Sequence, residues 1–216
     1  MTVIGVITFP GACDDYDALR AAAKVADVKQ LWHADTDLDG VDAVVVPGGF
    51  SYGDYLRPGA IARFSPIMQA VSEFAAAGGP VLGICNGFQV LCEAGLLPGA
   101  LLPNTGLRFV CRQVELEVVR TDTPFTSTCE VGERLSIPAK HGSGRYVGEV
   151  PADQVVLRYA PGHNFNGSQD DIAGVCNEGR NVLGLMPHPE HAVDVLVGGS
   201  ADGLKLFEGM ARVAAV

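Results

Sequence analysis

The sequence predicts an α/β fold, a mostly parallel central sheet with helices on both faces, as a single domain over residues 1–216. Three observations carry this. Through the front half, short apolar runs alternate with stretches of helical period, as in successive strand–helix units. Those runs are apolar at nearly every position, as in strands covered on both faces. A length of 216 residues suits one α/β domain with a sizeable core.

The elements follow in order. Thr2 to Thr8 is a continuous apolar run that breaks at Pro10, a first buried strand. Asp14 to Ala26 follows with alanines, Leu19 and Val25 at helical spacing, and Asp14 or Asp15 is in position to cap it. Val41 to Val46 is a second buried strand, ended by Pro47-Gly48-Gly49. Pro66 to Ala77 reads as a helix, with proline at its start and Gly78-Gly79 just past its end. Pro80 to Ile84 is another short strand, and Phe88 to Ala94 a helix closed by Gly95. The middle changes character: Phe109 to Arg120 alternates, as in an antiparallel strand with one wet face. Asn181 to Met186 returns to the buried-strand pattern, and Ala201 to Val213 is a final helix.

Composition excludes several classes of function. Apolar residues at 48% and charged residues at 19% argue against disorder. A formal net charge of −10 with no basic cluster makes nucleic acid and anionic lipid poor partners. No stretch is apolar for the ~20 residues a membrane helix requires, and the opening MTVIGVITFPG lacks the basic n-region of a signal peptide. The six cysteines are scattered with no C-x-x-C pair, which argues against a disulfide framework or a metal site. Most read as small apolar fillers in a reducing cytoplasm.

The most informative segment is Val81-Leu82-Gly83-Ile84-Cys85-Asn86-Gly87-Phe88-Gln89: a strand, a Gly-x-Cys-x-Gly turn, then a helix. This is the cysteine form of the nucleophile elbow. It raises Cys85 above the sheet at a helix N-terminus, where partial positive charge favours the reactive thiolate. The Asn86 N–H points to the same place and can help hold an oxyanion. Cys92, inside the helix with no turn around it, reads as packing. The second signal is Pro187-His188-Pro189-Glu190 after the last buried strand. His188 can take the thiol proton, and Glu190 can bond the far imidazole nitrogen and fix its tautomer. Pro187 to His191 is the one run where a metal is even arguable. The third signal, Val46-Pro47-Gly48-Gly49-Phe50, can bring further backbone N–H groups close to a ligand at Gly49.

Together, Pro47-Gly48-Gly49, Gly83-Ile84-Cys85-Asn86-Gly87-Phe88-Gln89 and His188-Pro189-Glu190 resemble the class I glutamine amidotransferases. Within them the chain looks most like the glutaminase subunits of phosphoribosylformylglycinamidine synthases. Phe9-Pro10-Gly11, Gly48 to Asp54, Asn104, His141 to Tyr146, Asn166-Gly167-Ser168 and Ile172 to Val175 carry that closer likeness. The resemblance spans essentially the whole chain. It departs from the family pattern at the third residue of His141-Gly142-Ser143-Gly144, at His191, where arginine is usual, and at Gly162 to Phe165. None of these is expected to touch the triad.

The resemblance implies a flavodoxin-like fold and hydrolysis of L-glutamine by Cys85, His188 and Glu190. It implies an oxyanion site at Gly49 and Asn86, with Gln89 facing the amino-acid end of the substrate. Ammonia would pass to a large synthetase subunit, with a third small subunit in many bacteria, to convert formylglycinamide ribonucleotide to formylglycinamidine ribonucleotide in purine synthesis. The chain has no P-loop, so no cofactor is expected here, and ATP and magnesium belong on the synthetase. Two rivals remain open. A cysteine peptidase or hydratase shares the elbow but usually lacks the downstream His-Pro-Glu. A redox sensor would show a peroxide-sensitive Cys85 and no glutamine turnover.

Overall fold

The computed structural model describes residues 2–214. In chain order the strands are β1 (Val3–Thr8), β2 (Asp27–Trp32), β3 (Ala43–Val46), β4 (Val81–Ile84), β5 (Ala100–Leu102), β6 (Val110–Val118), β7 (Arg134–His141), β8 (Arg145–Val147), β9 (Val155–Tyr159), β10 (Ile172–Cys176) and β11 (Val182–Leu185). The helices are α1 (Asp15–Ala22), α2 (Ile67–Ala76), α3 (Asn86–Glu93), α4 (Val195–Gly198) and α5 (Leu204–Val213).

Nine strands form one sheet in the order β2-β1-β3-β4-β11-β10-β9-β6-β7. From β2 to β11 every pairing is parallel. Beyond β11 every pairing is antiparallel, as the alternation of residues 109–120 predicts. Val44, Val45, Val46, Val81, Leu82, Val182 and Leu183 are all fully buried. Successive strand residues point to opposite faces, so the parallel strands are covered on both sides. That is why they read as unbroken apolar runs.

Six strands, β2, β5, β7, β8, β9 and β10, escape a reading of local pattern. β2 carries Asp27, Lys29 and Gln30 and is mostly exposed, because it is the outer parallel strand and one edge of the sheet. β5 and β8, three residues each, form a separate two-stranded sheet, and β10 meets β9 through an irregular register. At α1 the expected cap is corrected. Asp14 stands at the N-cap position but makes no capping hydrogen bond; its carboxylate is used elsewhere.

Parallel strands share one C-terminal edge. Val46 of β3 lies opposite Gly83 of β4, and Leu185 of β11 opposite Ile84. The segments after β3, β4 and β11 therefore emerge side by side, as ligand-binding segments do in open α/β sheets.

Candidate active site

Cys85 sits between β4 and α3 with φ +49° and ψ −102°, a conformation that L-residues rarely adopt. Its backbone N–H is tied to the Leu185 carbonyl at 2.8 Å. The turn is possible because α3 begins hard against β3. A Cβ on Gly87 would lie 1.9 Å from the Val46 carbonyl oxygen, so only glycine fits. Asn86 is the first residue of α3, so its N–H has no intrahelical acceptor.

His188 and Glu190 follow β11, both buried. His188 Nδ1 lies 2.6 Å from Glu190 Oε1, while Nε2 has no hydrogen-bond partner. Burial alone would lower the His188 pKa. The charges of Glu190 and Cys85 and the Glu190 hydrogen bond outweigh it and hold the imidazole well above its ordinary value. Cys85 Sγ lies 4.0 Å from the Lys140 carbonyl oxygen. Cys85 and His188 line the same cavity, and the open Nε2 gives an acid–base pair that substrate can close.

The structure brings together groups that local pattern did not assign to the site. Asp14, at the end of the first βα turn, lies 3.7 Å from His188 Nδ1. It accepts from Lys140 Nζ at 2.5 Å and pairs with His191 Nε2 at 3.2 Å. Burial would raise its pKa, but the His191 hydrogen bond and the His188 and Lys140 charges hold it well below the usual carboxylate range. Gly48 makes the approach possible: a Cβ there would meet Asp14 Oδ2 at 2.8 Å and His188 Cε1 at 2.9 Å. Lys140 and His141 come from β7, the far edge strand, which also accepts the His188 N–H at the Pro138 carbonyl, 2.7 Å away. His191 corrects the expectation that the family departures stand clear of the triad. Besides Asp14 it lies 3.5 Å from Glu190 Oε1, and its ring centroid is 5.4 Å from that of His188.

These groups surround a cavity of about 150 Å³ lined by Cys85, His188, Gly49, Gln89, Asp54 and His141, among others. That is below the ~300–1,000 Å³ of typical cofactor pockets, so it suits a small ligand rather than a nucleotide. Burial pushes the His141 pKa down to about 3, with the His188 charge adding to the effect, so this ring is neutral. Gln89 reaches the cavity but its amide already serves the protein. It donates to the Ser143 carbonyl at 2.5 Å and accepts from Asn86 Nδ2 at 2.9 Å. The family departure at Ser143 therefore also borders the site. Cys92 is apart from it, with burial raising its thiol pKa.

Asp14, His188, Glu190 and His191 also offer donor atoms all within 4.8 Å of one another. Asp14 Oδ1, His188 Nδ1, Glu190 Oε1 and His191 Nε2 are engaged with each other and with Lys140, while His188 Nε2 and Glu190 Oε2 have no hydrogen-bond partner among the described residues. Among the described residues no helix is long and apolar enough to cross a membrane.

A family model for CobB/CobQ-like glutamine amidotransferase domains matches residues 2–201. The phosphoribosylformylglycinamidine synthase subunit PurQ of Rubrobacter xylanophilus is 58% identical, covering 96% of each chain. The subunit of that name from Mycobacterium tuberculosis is 61% identical, covering 94% of each. Among solved structures, a chain of PurLQS from Thermotoga maritima superimposes with a TM-score of 0.92 at 45% identity, covering 98% of each chain.

Proposed function

The chain belongs to the family of CobB/CobQ-like glutamine amidotransferase domains, and on that premise we propose that it is the glutaminase subunit of a phosphoribosylformylglycinamidine synthase. It hydrolyses L-glutamine and hands the ammonia to a synthetase subunit of the same cytoplasmic complex, with a third small subunit completing the assembly. There formylglycinamide ribonucleotide becomes formylglycinamidine ribonucleotide. One observation carries the chemistry. His188 is oriented by Glu190 at 2.6 Å and leaves Nε2 open beside Cys85, in a cavity for a small ligand.

Cys85 Sγ attacks the side-chain amide carbon of glutamine. The oxyanion rests against backbone N–H groups near Gly49 and Asn86. His188 protonates the departing nitrogen as the C–N bond breaks, leaving a glutamyl thioester. It then takes a proton from water, which splits the thioester and returns glutamate and the free thiol. Glu190 holds the imidazole and offsets its charge. ATP and magnesium act on the synthetase, since this chain carries no P-loop.

Ammonia released without an acceptor is lost, so the partner is expected to govern turnover. The segment from Phe50 to Arg57 suits that control. It is anchored at one end by Ser51 to Asn86 and at the other by Arg57 to Glu93. Between them Tyr55 and Leu56 stand 74% and 88% exposed, free for a docking surface. Each misplaced oxyanion donor costs roughly a hundredfold or more in rate. The purified chain is therefore expected to hydrolyse glutamine about a hundredfold more slowly than after titration with the synthetase, its nucleotide and acceptor. Equal turnover with and without the partner would refute this control, and no turnover in either state would refute the glutaminase reading.

The reaction needs no metal. Exhaustive chelation is expected to leave glutamine hydrolysis intact, assayed apart from the ATP-dependent step. A loss that zinc restored would assign Asp14, His188, Glu190 and His191 to an ion instead.

A further inference from the structure

We propose that the Asp54 carboxylate seats the substrate's α-ammonium group, which makes the site selective for an α-amino acid amide over other small amides; this rests on the glutamine reading above. The argument begins with the charges around the cavity. Asp14 and Lys140 are paired at 2.5 Å. His188 is engaged by Glu190. His141 is neutral, with Nδ1 3.1 Å from Asn104 Oδ1. Asp54 is the remaining charged group on the wall. It accepts one hydrogen bond, from Asn86 Nδ2 at 3.3 Å. Among the described residues it has no cationic partner within ion-pair distance. Glutamine brings a cation of the right size into this space.

The placement is firm. Asn86 adjoins the nucleophile, and its side chain ties Asp54 to the start of α3. The same amide donates to Gln89 and accepts from the Ser51 N–H at 3.1 Å and hydroxyl at 2.5 Å. Asp54 is thus tied through the Asn86 side chain to the residue next to Cys85. Tyr52, Gly53 and Asp54 have successive φ values of +54°, +68° and +55°. Left-handed backbone at two non-glycine residues costs energy and persists where the surroundings impose it. Here they do: Tyr52 Oη bonds His33 Nδ1 at 2.8 Å and Ser65 Oγ at 2.9 Å. His33 is part of this clamp.

Burial raises the Asp54 pKa to about 6, and no neighbouring charge contributes. A desolvated carboxylate without a counter-ion gains from any cation delivered to it. Only its ionised form can pair with the ammonium. Glutamine binding should therefore weaken as pH falls through about 6. The other ionisable side chains on this cavity, Cys13, Cys85, His188, His141 and the Asp14–Lys140 pair, face a substrate lacking the amino group in the same way, so comparing the two substrates isolates Asp54.

The test uses the assembled complex with glutamine and with glutaramate, which is glutamine with hydrogen in place of the α-amino group. Asp54→Asn is expected to lower kcat/KM for glutamine roughly 10- to 100-fold through KM, and that for glutaramate by less than about threefold. Asp54→Glu should recover part of the loss, and the wild-type preference for glutamine should shrink below pH 6. Equal losses on both substrates would mean that Asp54 only shapes the loop, and no loss on glutamine would mean that it is a bystander; either overturns the proposal. A wild-type complex that released ammonia from neither compound would instead refute the glutaminase reading, and this inference with it.

Discussion

Replacing Cys85 with alanine is expected to abolish glutamine-dependent synthesis by the complex while ammonia-dependent synthesis survives. The elbow holds this residue in a strained backbone conformation of φ +49° on the cavity wall. No second thiol can replace it. Cys92 is in the body of α3 with its pKa raised by burial, and Cys13, on the cavity wall, has its pKa raised by burial and by Asp14. Loss of the nucleophile should cost on the order of 10⁴-fold or more in glutamine turnover. On the proposed division of labour the synthetase site lies on another polypeptide, so added ammonium salt reaches it without the elbow. Paired assays with glutamine and with ammonium salt check this. Loss of both activities in an intact complex would contradict the division of labour.

The second large effect is expected at the base. His188→Ala should approach the Cys85→Ala loss, because one imidazole moves every proton in both half-reactions. Glu190→Gln should cost less. Glutamine at this position can still accept from Nδ1 and keep the tautomer, while losing the charge that opposes burial of the imidazolium. Asp14, 3.7 Å from the same nitrogen, supplies a second negative charge that softens that loss. Single-turnover thioester formation measures both variants. A more damaging Glu190→Gln would mean that Glu190, rather than His188, carries the decisive step.

The parallel strands, the elbow and the His-Pro-Glu turn were all legible in sequence because each is written locally. A strand covered on both faces must be apolar at successive positions. A sharp strand-to-helix turn against β3 must have glycine at Gly87. Two residues with one between them, His188 and Glu190, can meet within a single turn. The edge strand β2 was not legible, since half its surface faces water and its residues look like a loop.

The sequence by itself determined the fold class and pointed to Cys85, His188 and Glu190 as the proposed nucleophile, base and orienting carboxylate. Tertiary structure alone decided the rest of the electrostatics. Asp14 looks like a helix cap, yet it bonds Lys140 across 126 residues of chain. Asp54 stands in the sequence only as the end of the Gly48 to Asp54 run, yet the Asn86 side chain ties it to the nucleophile's helix. The physical reason is the same in both cases. A side chain's charge acts through space over a few ångströms, and which charges come that close depends on which distant segments the fold brings side by side: β7 against the first βα turn for Lys140 and Asp14, and the segments after the neighbouring strands β3 and β4 for Asp54 and Asn86. Both are long-range packing outcomes that no local pattern of residues records.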